Sequence, residues 1–254
     1  MRNFGKITIG QLIDLRAKEN TKTEALVYSD LNLRYNYDDF RYVCNQAAKG
    51  LMKLGVQKGE HIAIWATNVP QWVITQFGSA KMGAVLVTVN TNYKIFELEY
   101  LLKQSDTTTL ILIKGTKSSD YISMLYQLCP ELHNCKPGEL KSQRLPFLRN
   151  IIVIDEKNYP GMFTWNELIE IGNTVTDEEL AVRQDSLDPD DVISMMYTSG
   201  TTGFPKGVML THNNLIGNAC SLAECMDFTE KDRLCIPVPF FHCFGCVLGT
   251  MACV

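Results

Sequence analysis

Short, almost continuously apolar runs recur along this chain, and an amphipathic stretch with helical spacing follows most of them. Their length and composition are those of strands buried on both faces of a parallel sheet. The runs are His61–Trp65, Val85–Val89, Leu110–Ile113, Ile151–Ile154 and Val192–Tyr197. The alternation of such strands with helices predicts an α/β protein with mostly parallel sheets flanked by helices.

Local signals delimit the helices between these strands. Pro70 and Gly83 mark the two ends of one helix, and Thr164 and Thr211 are candidate N-caps of two others. Helices are predicted over residues 43–54, 68–82, 95–103, 121–128, 164–171 and 212–226. Two stretches without periodicity are predicted to be loops, 131–149 and 173–191.

A loop rich in glycine and hydroxyl side chains follows the last of these strands, between Tyr197 and Gly207. Glycines let the backbone approach an anion closely, and successive amide groups can converge on phosphate oxygens. The loop also carries a lysine whose charge would strengthen a hydrogen bond to phosphate. The predicted phosphate-binding residues are Thr198, Ser199, Gly200, Thr201, Thr202, Gly203, Pro205 and Lys206.

Two common phosphate motifs do not fit this loop. A Walker A loop counted from Gly200 would need glycine at Pro205 and a hydroxyl at Gly207. The glycine spacing of a Rossmann fingerprint is also absent, because the glycines stand at 200, 203 and 207. A polar hairpin between two strands remains the structural alternative on composition alone.

The complete string Tyr-Thr-Ser-Gly-Thr-Thr-Gly-Phe-Pro-Lys-Gly-Val, 197–208, resembles the signature loop of the adenylate-forming enzymes. These comprise acyl-CoA synthetases, luciferases and the adenylation domains of peptide synthetases. Pro237–Gly245 is similar to the Pro-x-Phe-His segment of the fatty acyl-CoA synthetases. The Gly-Ala strand at 83–90 and the Glu-Leu-Glu-Tyr helix at 97–100 also resemble the family, with less specific motifs. The resemblance covers about Ile9 to Val254 and looks closest to the medium-chain fatty acyl-CoA ligases.

The resemblance implies a two-step ligase reaction that uses ATP, magnesium and CoA. A fatty carboxylate attacks the α-phosphorus of ATP, and a thiol then displaces AMP from the acyl-adenylate. His242 would lie near the reacting carboxylate, although a lone histidine among aromatics is also a common core residue. An apolar acyl channel is predicted at Phe240, Phe241, Phe244 and Gly245, whose alternative role is simply core packing.

Charge and cysteine content bound the remaining functions. The net charge of −4 disfavours nucleic-acid binding, and no segment is long and apolar enough to cross a membrane. The nine cysteines lack a regular spacing, and no signal peptide opens the chain, which predicts reduced thiols in the cytoplasm. Cys243 and Cys246 have no second pair to complete a zinc site, so no protein metal site is predicted.

The expected domain organisation is incomplete. By resemblance, 61–220 would form one α/β subdomain, and 9–60 with 228–254 would form part of a second. The apolar run that ends at Val254 carries no cap or turn signal, which predicts a truncated chain. The family's ribose ligand, hinge and catalytic lysine in a C-terminal lid domain match nothing in the sequence, so this fragment alone is expected to be inactive. The oligomeric state is not predicted.

Three other functions stay open on the sequence. An aryl-CoA ligase or an amino-acid adenylation domain would share the same phosphate loop. A noncatalytic nucleotide- or acyl-binding module would need no further domain. A kinase is disfavoured by Pro205 and Gly207, which break the Walker pattern.

Overall fold

A seven-stranded sheet forms the centre of the computed structural model, which describes residues 6–198 and 203–254. The strands are β1 (Glu24–Tyr28), β2 (Leu33–Asn36), β3 (His61–Trp65), β4 (Val85–Thr88), β5 (Thr109–Ile113), β6 (Gly115–Thr116), β7 (Ser119–Asp120), β8 (Asn150–Ile154), β9 (Phe163–Thr164), β10 (Val192–Thr198) and β11 (Lys206–Thr211). The sheet order is β11-β10-β4-β3-β5-β8-β9, and every neighbouring pair is parallel except β10 with β11. β1 with β2 and β6 with β7 form two small antiparallel pairs.

Helices cover both faces of this sheet. They are α1 (Ile9–Glu19), α2 (Tyr37–Lys53), α3 (Pro70–Met82), α4 (Ile95–Gln104), α5 (Tyr121–Leu128), α6 (Trp165–Gly172), α7 (Asp177–Asp185) and α8 (His212–Cys225). Short 3₁₀ turns occupy Ser29–Leu31 and Pro130–Asn134, and Phe244–Met251 is π-helical. The predicted α/β architecture with a mostly parallel sheet is confirmed.

Alternate residues of each central strand enter two separate cores. In β3, Ile62 and Ile64 face one cluster with the helices α1, α2, α3, α6 and α8, whereas Ala63 and Trp65 face a second cluster with α4 and α5. This two-sided burial explains why the strands are apolar at almost every position. Residues 9–60 share the first core with the sheet, and the division into two subdomains stays a prediction.

Two glycines bring α2 and α6 into close contact. A Cβ atom on Gly50 would lie 2.3 Å from the carbonyl oxygen of Leu168, and one on Gly172 would lie 2.8 Å from that of Gln46. The absence of both side chains therefore lets the two helices pack backbone to backbone. The sequence predicted that α6 ends next to Gly172, but it did not indicate that the two helices approach each other closely.

The helix ends predicted at Gly83, Thr164 and Thr211 are confirmed, whereas the helix predicted from residue 43 begins earlier, at Tyr37 after the N-cap Asn36. Gly83 ends α3 with φ +79°, and Thr164 and Thr211 accept hydrogen bonds from the first turns of α6 and α8. The prediction of a loop over 173–191 was wrong, because α7 lies inside it. Thr176 and Glu179 form a capping box at its start. The apolar pattern gave little warning, since the buried residues of α7 are only Leu180 and Gln184.

Candidate active site

The carboxyl ends of β10, β4 and β3 meet at one edge of the sheet. These three strands are adjacent and parallel, with Met196 opposite Thr88 and Thr88 opposite Ile64. With about 4.8 Å between neighbouring strands, β10 and β3 lie roughly 10 Å apart. Ligands of open parallel sheets bind at this edge, so the loops that leave these strands define the candidate site.

The predicted phosphate loop joins β10 to β11 at this edge. Thr198 is the last residue of β10 and pairs with Lys206, the first residue of β11. The two predicted residues therefore stand opposite each other across the mouth of the loop. Gly203 has φ +98° and open space around its Cα, a backbone conformation that favours glycine. The predicted phosphate ligands Ser199, Gly200, Thr201 and Thr202 lie outside the described residues.

The helix α4 contacts the loop at its exit. The ring of Tyr100 stacks on that of Phe204, with centroids 5.1 Å apart, and the hydroxyl of Tyr100 donates to the carbonyl oxygen of Pro205 at 3.2 Å. Pro205 is thus held through its backbone. The side chain of Lys206 is exposed and forms no ion pair within the described part of the chain. Its ammonium group is free to meet an anionic ligand.

Asn68, just after β3, holds the histidine segment against the same edge. Its Nδ2 donates to the carbonyl oxygens of Val238 and Ile236 at 2.8 and 3.3 Å. Its Oδ1 accepts from the N–H of Phe240 at 3.0 Å. A single amide therefore fastens 236–240 to the end of a central strand about 170 residues away. Sequence reasoning missed this role and assigned Asn68 only to a helix start, since no local signal shows a contact over that distance.

His242 lies at the surface next to this fastened segment. Its Nδ1 accepts from the N–H of Phe244 at 3.2 Å, so in the neutral ring the proton lies on Nε2. The backbone around it forms a tight turn in which the carbonyl oxygen of His242 accepts from Gly245 and Cys246. A Cβ on Gly245 would lie 2.4 Å from the carbonyl oxygen of Pro239, so glycine is required there. The turn presents an Nε2–H donor to solvent.

The predicted acyl-channel residues occupy different environments. Phe240 is buried and packs on Trp72 with ring centroids 5.4 Å apart, as a core residue does. Phe241 is half-buried and, with Phe240, borders a cleft of about 1560 Å³. Phe244 is 53 % exposed and Gly245 lies buried in the turn; neither borders that cleft. The channel stays a prediction, with Phe240 and Phe241 its best-placed members.

The cysteine pair near the histidine is not arranged as a shared ligand set. Cys243 is exposed with its Sγ 3.7 Å from His242 Nδ1, whereas Cys246 is buried and donates to the carbonyl oxygen of His242. Burial raises the pKa of Cys246 to about 12, which keeps it a thiol. Residues 6–198 and 203–254 contain no group of three or more metal-ligating side chains. Among the same residues, no helix is long and apolar enough to span a membrane.

His212 ties the first turn of α8 to the first turn of α1. It is fully buried, and its Nδ1 accepts from the N–H of Ile9 at 3.1 Å. Burial lowers its pKa to about 4, although Asp191 nearby opposes the shift. Because the ring is neutral and fully enclosed, His212 serves the fold, as its place in a first turn suggested.

The His212→Asn substitution is expected to make the free energy of unfolding less dependent on pH in the acidic range. The unfolded histidine binds a proton below about pH 6.5 but the folded one only below about 4, so stability falls as pH decreases through this window. The loss between pH 7 and pH 5 is about 2 kcal/mol. Asparagine keeps an acceptor for Ile9 but does not titrate. Urea unfolding at both pH values measures the change, and an unaltered pH dependence in the variant would contradict the assignment.

Comparison with known proteins identifies the family of this chain. Residues 13–254 match the AMP-binding enzyme family, and the chain belongs to that family. It is 56% identical over 247 residues to YngI of Bacillus subtilis (strain 168), a candidate acyl-CoA synthetase, covering 97% of this chain and 45% of that protein. It is 37% identical over 258 residues to the human mitochondrial medium-chain acyl-CoA ligase ACSF2, covering 100% of this chain and 42% of that protein.

Solved structures of acyl-CoA ligases share the fold. The long-chain-fatty-acid-CoA ligase FadD1 of Archaeoglobus fulgidus superposes with a TM-score of 0.75 at 26% identity, over 98% of this chain and 45% of that one. The anthranilate CoA ligase AuaEII, solved with anthranoyl-AMP, gives a TM-score of 0.81 at 24% identity, over 98% of this chain and 43% of that one. The chain therefore spans less than half the length of each of these four proteins. The resemblance drawn from the two motifs is confirmed.

Proposed function

We propose that the protein is an AMP-forming acid–thiol ligase. A carboxylate oxygen attacks the α-phosphorus of ATP, the bond to pyrophosphate breaks, and an acyl-adenylate forms. The thiol of CoA then attacks the acyl carbon, loses its proton to solvent and releases AMP. The observation that carries this proposal is the meeting of two motifs at one sheet edge: the phosphate loop after β10 and the histidine segment fastened by Asn68 after β3.

The phosphate loop would hold the departing pyrophosphate. Thr198 and Lys206 face each other at its mouth, and Gly203 lets the backbone turn towards the ligand. Lys206 would neutralise charge that develops on the leaving group, and its exposed ammonium has no competing ion pair among the described residues. Ser199, Gly200, Thr201 and Thr202 would complete the cradle. Magnesium would enter with ATP as the counter-ion of its phosphates.

His242 would position the reacting carboxylate. Because its Nδ1 is occupied by Phe244, Nε2 carries the hydrogen that can be donated to a carboxylate or α-phosphate oxygen. Holding that oxygen near phosphorus reduces the entropic cost of the attack. This arrangement needs a fixed turn, which Asn68 and Gly245 supply.

The acid is proposed to be aliphatic, of medium chain length, bound against Phe240 and Phe241. Both rings border the cleft, and the name of the human relative ACSF2 describes a medium-chain ligase. An aryl acid or an amino acid is the alternative within the family. The cytoplasm is the proposed location because the nine cysteines are free. The 254 residues alone are proposed not to complete adenylation.

Carboxylate-dependent exchange of pyrophosphate into ATP tests the proposal directly. The protein with any sequence that follows Val254 is compared with the 254-residue chain, using fatty acids of increasing length, benzoate and amino acids. Exchange that requires a fatty acid and occurs only in the longer protein is expected. ATP binding without exchange would favour a noncatalytic nucleotide-binding module, and phosphate transfer without any acid would favour a kinase.

The Lys206→Ala substitution is expected to weaken ATP binding by about ten- to hundredfold, because a charge-assisted hydrogen bond to phosphate is lost. The thermal midpoint should stay unchanged, since the side chain is exposed. Titration calorimetry with magnesium–ATP measures the affinity. Lys231→Ala, another exposed lysine remote from the loop in sequence, is the control and should bind normally. Equal affinities in the two variants would remove Lys206 from the site.

A further inference from the structure

One face of α4 touches both ends of the phosphate loop. Tyr100 reaches the exit, where its ring stacks on Phe204 and its hydroxyl donates to the carbonyl oxygen of Pro205. Gln104 reaches the entry, where its Oε1 accepts a hydrogen bond from the hydroxyl of Tyr197. Tyr100 and Gln104 are four residues apart on the helix, so their side chains are neighbours on the same face.

The helix is itself fixed in place. Glu99 forms ion pairs with Arg144, which lies in the loop after α5, and with Lys103 on the same helix. The hydrogen bond from Arg144 lowers the pKa of Glu99 to about 2, so the carboxylate stays ionised throughout the neutral range. The opposite side of α4 is anchored by the buried side chains of Leu98, Leu101 and Leu102. A helix held on two sides can act as a rigid support for whatever its third side contacts.

The contact with Phe204 has no evident role in stability alone. Phe204 is 65% exposed, and its ring lies on α4 away from either apolar core. An exposed stack gains little from burial. Its effect is instead to set where the chain runs between Gly203 and Lys206, two of the residues proposed to meet phosphate.

We infer that Tyr100 and Gln104 are positioning residues of the phosphate loop, which fix its exit and its entry on α4 so that Thr198 and Lys206 stand ready for the nucleotide. Neither side chain is assigned a contact with ATP. The inference rests on the proposed function for the identity of the ligand, but it concerns binding of ATP and not the adenylation step. Loosening either end would let the loop take other positions, and binding ATP would then carry the cost of ordering it.

The Tyr100→Ala substitution tests this inference. It removes the ring stack and the hydrogen bond together and is expected to raise the Kd of magnesium–ATP about tenfold. In the exchange assay the KM for ATP should rise by a similar factor, with kcat within about twofold. Tyr100→Phe keeps the stack and should show a smaller increase. Phe204→Ala removes the ring stack alone, so its increase in Kd should be smaller than that of Tyr100→Ala. Combined with Tyr100→Ala it should add little, because both substitutions remove the same contact.

Further variants separate positioning from general destabilisation. Gln104→Leu and Tyr197→Phe each remove the hydrogen bond at the loop entry without adding charge and should raise the Kd of ATP to a similar degree, with little further increase in the double variant. Phe96→Ala removes an aromatic ring one turn earlier on α4 that is 83% exposed, and it should change neither Kd nor KM. Thermal unfolding of each variant shows whether the fold is retained.

The outcomes distinguish this inference from the proposed function. Weaker ATP binding in Tyr100→Ala, in a protein whose unsubstituted form shows no exchange with any acid, supports the inference and overturns the ligase proposal. An unchanged Kd in Tyr100→Ala, with normal exchange in the unsubstituted protein, overturns the inference alone. A fall in kcat at constant KM would assign α4 a different role and also overturn it. Absence of ATP binding in the unsubstituted protein overturns both.

Discussion

The Asp14→Ala substitution is expected to lower the free energy of unfolding by about 2–3 kcal/mol, because it removes the counter-ion of the buried ammonium group of Lys81 from a position that is itself partly exposed. The side chain of Lys81 is only 2% exposed, and its Nζ lies 2.5 Å from Asp14 Oδ1. Asp14 also accepts from Gln184 at 2.8 Å, so it joins α1, α3 and α7. Urea unfolding at pH 7 measures the loss.

Lys81→Met is the matched variant for this pair. It removes the buried charge and fills a similar volume, while Asp14 keeps Gln184 and partial contact with water. Its destabilisation should therefore be much smaller than that of Asp14→Ala. If the two variants lost equal stability, the cost would come from packing and not from an uncompensated charge.

The pH dependence of Asp14→Ala provides a second test. Burial already lowers the pKa of Lys81, and loss of Asp14 removes the main influence that opposes this shift. The folded state then binds fewer protons than the unfolded state below the lysine's usual pKa, so stability rises with pH. The defect should shrink between pH 7 and pH 9. A defect that stays constant over that range would contradict the explanation.

The second large effect is expected at Asn68. Asn68→Ala leaves the N–H of Phe240 and the carbonyl oxygens of Val238 and Ile236 without their partner. Three lost hydrogen bonds at about 1 kcal/mol each correspond to roughly a hundredfold loss in kcat/KM for the acid, because His242 loses its fixed support. ATP affinity should change little, since the phosphate loop lies two strands away.

Asn68→Asp separates the hydrogen bonds that Asn68 donates from the one that it accepts. Aspartate keeps an acceptor for Phe240 but loses the donor to Val238, so its effect on the acid should be intermediate if only hydrogen bonds matter. His242→Ala should reduce adenylation more than ATP binding and should not add fully to Asn68→Ala, because both act on one segment. Equal losses of acid and ATP binding in Asn68→Ala would show a general collapse of the sheet edge.

The sequence predicted the central strands well because their burial on both faces leaves a clear apolar signal. β3, β5 and β10 lie where the apolar runs indicated. α3 begins at Pro70 and ends before Gly83, as these two residues predicted. Two helices were not predicted, α1 and α7. α7 has few buried residues, so the capping box of Thr176 and Glu179 was its main signal in the sequence.

The site divides in the same way. The two motifs were visible as strings of residues, since glycines, hydroxyls, a lysine and a histidine at fixed spacing are local features. Their relation was not visible. Asn68 and Phe240 are 172 positions apart, and Tyr100 and Pro205 are 105 apart, and no spacing rule connects them.

The sequence by itself therefore determined the central strands, most of the helices, the family and the two motifs proposed to meet phosphate and carboxylate, because propensity, caps and motifs act over a few neighbouring residues. Only the tertiary structure decided which elements hold those residues in place. The order of strands in the sheet set β10 two strands from β3, and that order put Asn68 beneath the histidine segment and α4 beside the phosphate loop. Contacts of this kind depend on how the whole chain packs, and a local pattern carries no record of them.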